Sequence, residues 1–209
     1  MNSKLMAATA DILPDTMFGF RSQRNCIDPL FMLRHLADLQ KTKQGKIFAA
    51  AFMDLSGAYD SVDRGKLFEK LQGLGLTEHT IGLFRSLYTN NQCIIKCQAG
   101  TSMPFSIGCG VRQGCPLSTT LFNLYIHDLH SRLTSHCPGQ GVKVRRHTAT
   151  TNKQAVGYLL FTDLGYADDI SLLADNPQHL QNMLNCFHEY CTELGLSINP
   201  IPPNAKWLF

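Results

Sequence analysis

Gly165-Tyr166-Ala167-Asp168-Asp169-Ile170-Ser171-Leu172-Leu173 sets two adjacent carboxylates between apolar runs, Tyr158-Leu159-Leu160-Phe161 before them and Ile170 to Ala174 after. Apolar arms with a charged tip predict a β-hairpin. Placing two like charges on a tight turn beside a core is unfavourable, because repulsion and desolvation both oppose ionisation. A divalent cation would offset that penalty, and Asp oxygens are hard ligands suited to Mg²⁺. A solvated turn explains the pair equally well by itself, since Asp favours turns. The balance tips on a third carboxylate, Asp54, which ends an apolar run far upstream.

The chain has 209 residues, enough for one domain or at most two. A hydrophobic content of 44% supports a core, and 17% charged residues argues against disorder. The net charge of +3 decides little, so its distribution matters more. Arg21, Arg24, Arg34, Lys41, Lys43 and Lys46 stand against Asp28 and Asp38, six cations to two anions. Lys143, Arg145, Arg146, His147 and Lys153 form a second basic cluster. Either can face phosphates or be an ordinary solvated surface. Eight cysteines occur without a CxxC pair, which predicts small buried hydrophobes in a reducing compartment, cytoplasm or nucleus. Cys186, His188 and Cys191 fall on one predicted helix without a partner pair and are not expected to bind metal. The N-terminus lacks the apolar core of a signal peptide and no run reaches ~18 apolar residues, so no membrane contact is expected.

Residues 1–13 can form a short helix, and apolar spacing predicts another over about 26–42. Ile47 to Asp54 reads as a buried strand presenting Asp54 at its C-terminal end. Asp63 and Thr77 are helix caps for segments reaching Gly73 and Tyr88. Gln92 to Gln98 and Met103 to Gly108 read as strands joined by Ala99-Gly100-Thr101-Ser102. Leu117, Leu121, Leu124, Leu129 and Leu133 predict one long helix, and Ser135 to Gln154 an irregular excursion. Asn176 caps a helix with Pro177 at its first position and Gly195 at its end. The order predicts an α+β fold, with helices packed on a mostly antiparallel sheet.

If the Asp54 strand lies beside the hairpin, Asp54, Asp168 and Asp169 meet at one sheet edge. Three carboxylates there suit a two-metal site, in which paired ions activate a 3′-hydroxyl and stabilise leaving pyrophosphate. Phe52-Met53-Asp54-Leu55-Ser56-Gly57-Ala58-Tyr59-Asp60, then Gly110-Val111-Arg112-Gln113-Gly114-Cys115-Pro116-Leu117-Ser118, then Tyr166-Ala167-Asp168-Asp169 resemble, in that order, palm motifs A, B and C of reverse transcriptases. Phe18-Gly19-Phe20-Arg21, Leu121-Phe122-Asn123-Leu124-Tyr125-Ile126 and Gly195-Leu196-Ser197-Ile198-Asn199 resemble the non-LTR, LINE-type branch. The likeness covers residues 14–199.

The resemblance implies a polymerase palm over 47–209, with motif A at 52–60, motif B at 110–118 and motif C at 165–173, and a partial fingers segment over 1–46. It implies that Asp54, Asp168 and Asp169 hold two Mg²⁺ ions, with Mn²⁺ as a substitute, and that Leu55 offers a backbone carbonyl. Tyr59 would be the ring that rejects a 2′-hydroxyl, Gln113 and Gly114 the loop against the incoming nucleotide, Tyr166 a primer-end contact, and Arg21 a contact to template or triphosphate. Asp60 reads as a structural hydrogen-bonding group. RNA template, DNA primer and dNTPs are the implied partners, and RNA-directed DNA polymerisation the implied activity. Two departures qualify it. Pro200-Ile201-Pro202-Pro203-Asn204-Ala205 stand where the family has an early Lys, and the motifs imply a chain truncated at both ends, with no thumb. The alternative is therefore a catalytically inert retroelement relic or a nucleic-acid-binding remnant. An RNA-dependent RNA polymerase is disfavoured by Tyr59.

Overall fold

The apolar run that ends on Asp54 is buried on two sides, and the rest of the fold follows from covering both. The computed structural model describes residues 2–42, 47–146 and 157–200. Helix α1 (Asn2–Thr9) and helix α2 (Ile27–Lys41) precede strand β1 (Ala49–Met53) and the short β2 (Leu55–Ser56). Then come α3 (Arg64–Gly73) and α4 (Glu78–Tyr88), followed by four two-residue strands, β3 (Gln92–Cys93), β4 (Lys96–Cys97), β5 (Gly100–Thr101) and β6 (Phe105–Ser106). Helices α5 (Pro116–Tyr125) and α6 (Leu129–His136) lead into β7 (Val142–Arg146), β8 (Gly157–Phe161), β9 (Asp163–Tyr166) and β10 (Asp169–Ala174). Helix α7 (Pro177–Leu194) and β11 (Ser197–Ile198) complete the described chain.

The central sheet is antiparallel in the order β1-β10-β9. Strand side chains alternate between faces. Ala49, Ala51 and Met53 join Ile170, Leu172 and Ala174 in the main core, with α3, α5 and α7. Ala50, Leu164 and Leu173 face the other way, against Phe18 and Leu36 of the N-terminal segment. That two-sided burial accounts for the apolar run of β1 except at Phe52, which is 57% exposed. Helix α5 is buried on every side, with Leu121, Leu124 and Tyr125 fully enclosed. Each large side chain so buried contributes about 1.5–3 kcal/mol relative to exposure.

The caps match their residue types. Asp63 accepts from the Lys66 N–H, Thr77 from Thr80 and Asn176 from His179, each satisfying an otherwise orphaned donor. Gly195 ends α7 in the left-handed region, φ 75°, where glycine is unpenalised.

Five expectations need correction. The hairpin's first arm is Asp163–Tyr166, not Tyr158–Phe161, which pairs with β7 instead. Asp163 in that arm is 3% exposed and partnered by Thr16, Thr162 and His130. The segment after Ser135 is not wholly irregular. Its Val142-Lys143-Val144-Arg145 alternation is a period-two strand signal hidden by the basic count. The long helix breaks into α5 and α6, because Lys70 Nζ binds the Tyr125 carbonyl (2.7 Å) and the Asp128 carboxylate (2.6 Å), to which the Tyr190 hydroxyl also donates (2.6 Å). The turn between β4 and β5 is Gln98-Ala99, with Gly100 and Thr101 already in the ladder. Of the eight cysteines only Cys137, Cys186 and Cys191 are buried. Among the described residues, no helix is long and apolar enough to cross a membrane.

Candidate active site

The β9–β10 register pairs Asp169 with Tyr166, so Ala167 and Asp168 form a two-residue hairpin loop. Ala167 adopts φ 57°, a conformation usually left to glycine at the first loop position. The Phe18-Gly19 segment braces it. Phe18 N–H donates to the Gly165 carbonyl and Gly165 N–H to the Thr16 carbonyl, both at 2.8 Å, a parallel bridge on the outer edge of β9. Asn123 Nδ2 holds the Gly19 carbonyl at 2.7 Å. A Cβ on Gly19 would stand 2.4 Å from the Ala167 nitrogen, so only glycine fits against this turn.

Behind the hairpin, buried Asp163 accepts from Thr16 (2.9 Å) and Thr162 (2.6 Å) and pairs with His130 Nδ1 (2.7 Å). The hydrogen bond to Asp163 raises the His130 pKa against the opposing effect of burial.

Asp54 lies just past β1. The β1–β10 pairing, Met53 opposite Ile170, sets it level with Asp169 one step further on. Asp169 is pushed above the usual carboxylate range by desolvation first, then by Asp168 and Asp54. One oxygen of Asp54 accepts from Asn199 Nδ2 at 2.7 Å, and its backbone carbonyl from Asn199 N–H at 2.9 Å.

Tyr59 stacks on Phe122, with centroids 4.8 Å apart. Burial, with the negative charge of Asp168 added, pushes its hydroxyl up to about 12. The loop of residues 107–114 is tied to the turn carrying Tyr59. Val111 N–H donates to the Tyr59 carbonyl and Gly110 N–H to the Val62 carbonyl, each at 2.8 Å. Gly110 (φ 80°) presses against the Asp60 backbone, where a Cβ would meet the carbonyl oxygen at 2.7 Å. Gln113 Nε2 donates to Asp60 Oδ2 at 2.8 Å. From below, Arg64 donates to the carbonyls of Gly110 (2.8 Å), Cys109 (2.8 Å) and Ile107 (2.9 Å).

Tyr59, Gln113, Gly114, Asp168 and Asp169 therefore line one open cavity of about 470 Å³, with Phe20, Arg112 and Tyr166 on its walls. Arg21 does not line it. Its guanidinium is spent on the carbonyls of Pro14 (2.6 Å), Met17 (3.0 Å) and Ala10 (3.2 Å), clamping the bracing segment. Leu55 turns its side chain into the core and pairs with Ile198. Of the first basic cluster, Arg24 pairs with Asp15 and Arg34 with Asp38, while Lys43 and Lys46 lie outside the described residues. In the second, His147 and Lys153 also lie outside them, as does the tail beyond Pro200.

The donor set fits Mg²⁺ in kind: three carboxylates, oxygen only, coupled through space. Among the described residues no three His, Cys, Asp or Glu side chains are gathered tightly enough to cage an ion by themselves. Mg²⁺ does not need such a cage, since it binds through one or two carboxylates and completes its shell with water and substrate phosphates.

Gly19, Asn123, Arg64 and Asn199 carry parts of this site that the sequence did not assign. Gly19, Asn123 and Asn199 stood inside quoted motifs without a role; Arg64 carried no signal, because its partners are distant in the chain.

Comparison with known proteins bears on the family and the fold. The family described as reverse transcriptase (RNA-dependent DNA polymerase) matches residues 1–201. A 149 kDa protein of transposon TX1 from Xenopus laevis is 26% identical over 94% of this chain and 14% of its own length. The Pol polyprotein of retrotransposable element R2 from Popillia japonica is 27% identical over 82% of this chain and 26% of its own length. The chain thus spans about a quarter or less of these curated relatives. The telomerase of Candida albicans, described in complex with a TWJ fragment of telomeric RNA, superposes with TM-score 0.68 at 12% identity, over 98% of this chain and 34% of that one. That likeness supports the palm-like fold alone. With the family match running through nearly every residue and the relatives drawn from non-LTR retrotransposons, the chain belongs to the reverse transcriptase (RNA-dependent DNA polymerase) family.

Proposed function

We propose that this chain is the catalytic palm of an RNA-directed DNA polymerase, adding dNTPs to a DNA primer on an RNA template. The observation that carries the proposal is the register that sets Asp54 level with Asp169, which lines one cavity together with Asp168 and Tyr59. Asp54, Asp168 and Asp169 are the residues that would hold Mg²⁺. Bound there, the ions would supply activation of the primer 3′-hydroxyl and charge neutralisation on pyrophosphate.

The chain's own residues do the rest. Tyr59, fixed by Phe122 and buried enough to stay a neutral phenol, blocks the space a 2′-hydroxyl would need. Gln113 and Gly114 form the exposed lip for the nascent base pair, and Asp60 orients the Gln113 amide. Gly19 and Asn123 keep the Ala167-Asp168 turn in place. The family match, described as RNA-dependent DNA polymerase, supports RNA as the template.

The test is primer extension on primed RNA with dNTPs and Mg²⁺, using this chain and a longer chain that includes its flanking sequence. Extension that Asp54→Asn abolishes supports the proposal. RNA binding without extension in both chains would favour the inert-relic reading instead.

A further inference from the structure

Asp54 stands where two ladders meet. On one side the β1–β10 register continues to Asp169. On the other, Ser197 opposite Ser56 and Ile198 opposite Leu55 continue, by the same step, to Asn199. The carboxylate is therefore flanked by a charged neighbour and a neutral amide. Asn199 uses both of its donors there, the backbone N–H on the Asp54 carbonyl (2.9 Å) and Nδ2 on Oδ2 (2.7 Å).

The chemistry of this pairing is specific. An amide N–H satisfies one carboxylate oxygen without adding positive charge, so the second oxygen keeps its full appeal to a cation. It also fixes the rotamer of an exposed side chain that repulsion from Asp169 would otherwise swing away. A Lys or Arg in the same place would compete with the cation; an apolar residue would leave the carboxylate free to rotate. Partners of this kind behind a metal ligand typically change metal affinity by about ten- to a hundredfold when removed.

The local sequence prepares the geometry. Pro200 follows Asn199. The residue before a proline is pushed out of the helical region into extended conformation, which is what a continuing ladder requires. Pro200 thus has a use in this chain, holding the amide opposite Asp54.

We propose that Asn199 is the positioning residue for the Asp54 carboxylate in divalent-cation binding, with Pro200 keeping its backbone extended. This rests on Asp54 being a ligand, as proposed above.

The test is Mn²⁺ binding to the 209-residue chain without nucleic acid, followed by the free-ion electron paramagnetic resonance signal, with circular dichroism to confirm folding. Asn199→Ala should weaken Mn²⁺ binding about tenfold, and Pro200→Ala by less. Ile198→Ala is the structural control. It weakens the packing of the same short strand against the core, where Ile198 is half-buried, and should leave Mn²⁺ affinity unchanged. If Asn199→Ala fails to fold, Asn199→Ser keeps a polar side chain that is too short to reach Oδ2, and should show the same loss. Unchanged affinity in the folded variant, or an equal loss in Ile198→Ala, overturns the positioning role while leaving the polymerase reading standing. If Asp54→Asn binds Mn²⁺ as tightly as the parent chain, Asp54 is not a ligand and both readings fall.

Discussion

Gly19→Ala is the substitution whose effect follows most directly from the geometry. The added methyl would sit 2.4 Å from the Ala167 nitrogen, 3.1 Å from the Tyr166 carbonyl carbon and 3.2 Å from the Ala167 Cα. All three are backbone atoms, so no side chain can rotate out of the way. Either the Phe18-Gly19 segment lifts off β9 or the turn shifts. Overpacking of this kind costs typically about 1–3 kcal/mol. Lifting the segment also strains the Phe18–Gly165 and Gly165–Thr16 hydrogen bonds, each worth about 0.5–1.5 kcal/mol net. A total of about 2–4 kcal/mol is expected. For a chain of this size that lowers Tm by about 5–15 °C. Urea unfolding followed by circular dichroism measures it, and hydrogen exchange at Ala167 and Asp168 reports whether the turn itself has loosened. A loss below about 0.5 kcal/mol, the range of ordinary surface changes, would refute the bracing role.

Further outcomes follow from other contacts. Tyr59→Ala should admit ribonucleotides, narrowing the dNTP-to-rNTP preference in kcat/KM by about 10- to 100-fold, and unchanged discrimination would remove Tyr59 from the sugar check. Arg64→Ala leaves the carbonyls of Ile107, Cys109 and Gly110 without their charged donor, so stability should fall by about 2–3 kcal/mol with faster exchange at Gly110 and Val111. The His130–Asp163 pair makes stability pH-dependent. Because the folded His130 pKa is raised, its contribution is full below the unfolded value of about 6.5 and fades as pH climbs through the folded value. Urea midpoints should therefore fall over that window in the parent chain, and less so in His130→Gln.

The carboxylates proposed to hold the metal were the most legible residues. Asp54, Asp168 and Asp169 stood out because charge beside long apolar runs is rare, and the β1–β10 pairing they required is present. Helices with clear apolar spacing and a capping residue, such as α7 between Asn176 and Gly195, also matched closely. Legibility failed where a distant partner changes a residue's meaning. Asp163 was passed over as a strand residue because its charge hid a buried site completed by Thr16, 147 positions away. The long helix broke because Lys70 captures the carbonyl at the end of α5, which no local signal announces. Arg21 looked like a phosphate ligand by position, yet its hydrogen bonds go to backbone carbonyls of its own segment. Asn199 was visible only as part of a motif, since its role depends on a carboxylate 145 residues earlier.

The most direct test of the central claim is single-turnover incorporation of one complementary dNTP into a DNA primer on an RNA template. It compares the parent sequence with Asp168→Asn, in the longer chain that includes the flanking sequence. Mg²⁺-dependent incorporation slower by at least about a hundredfold in the variant, with RNA binding unchanged, is expected. Incorporation at the same rate in Asp168→Asn would contradict it.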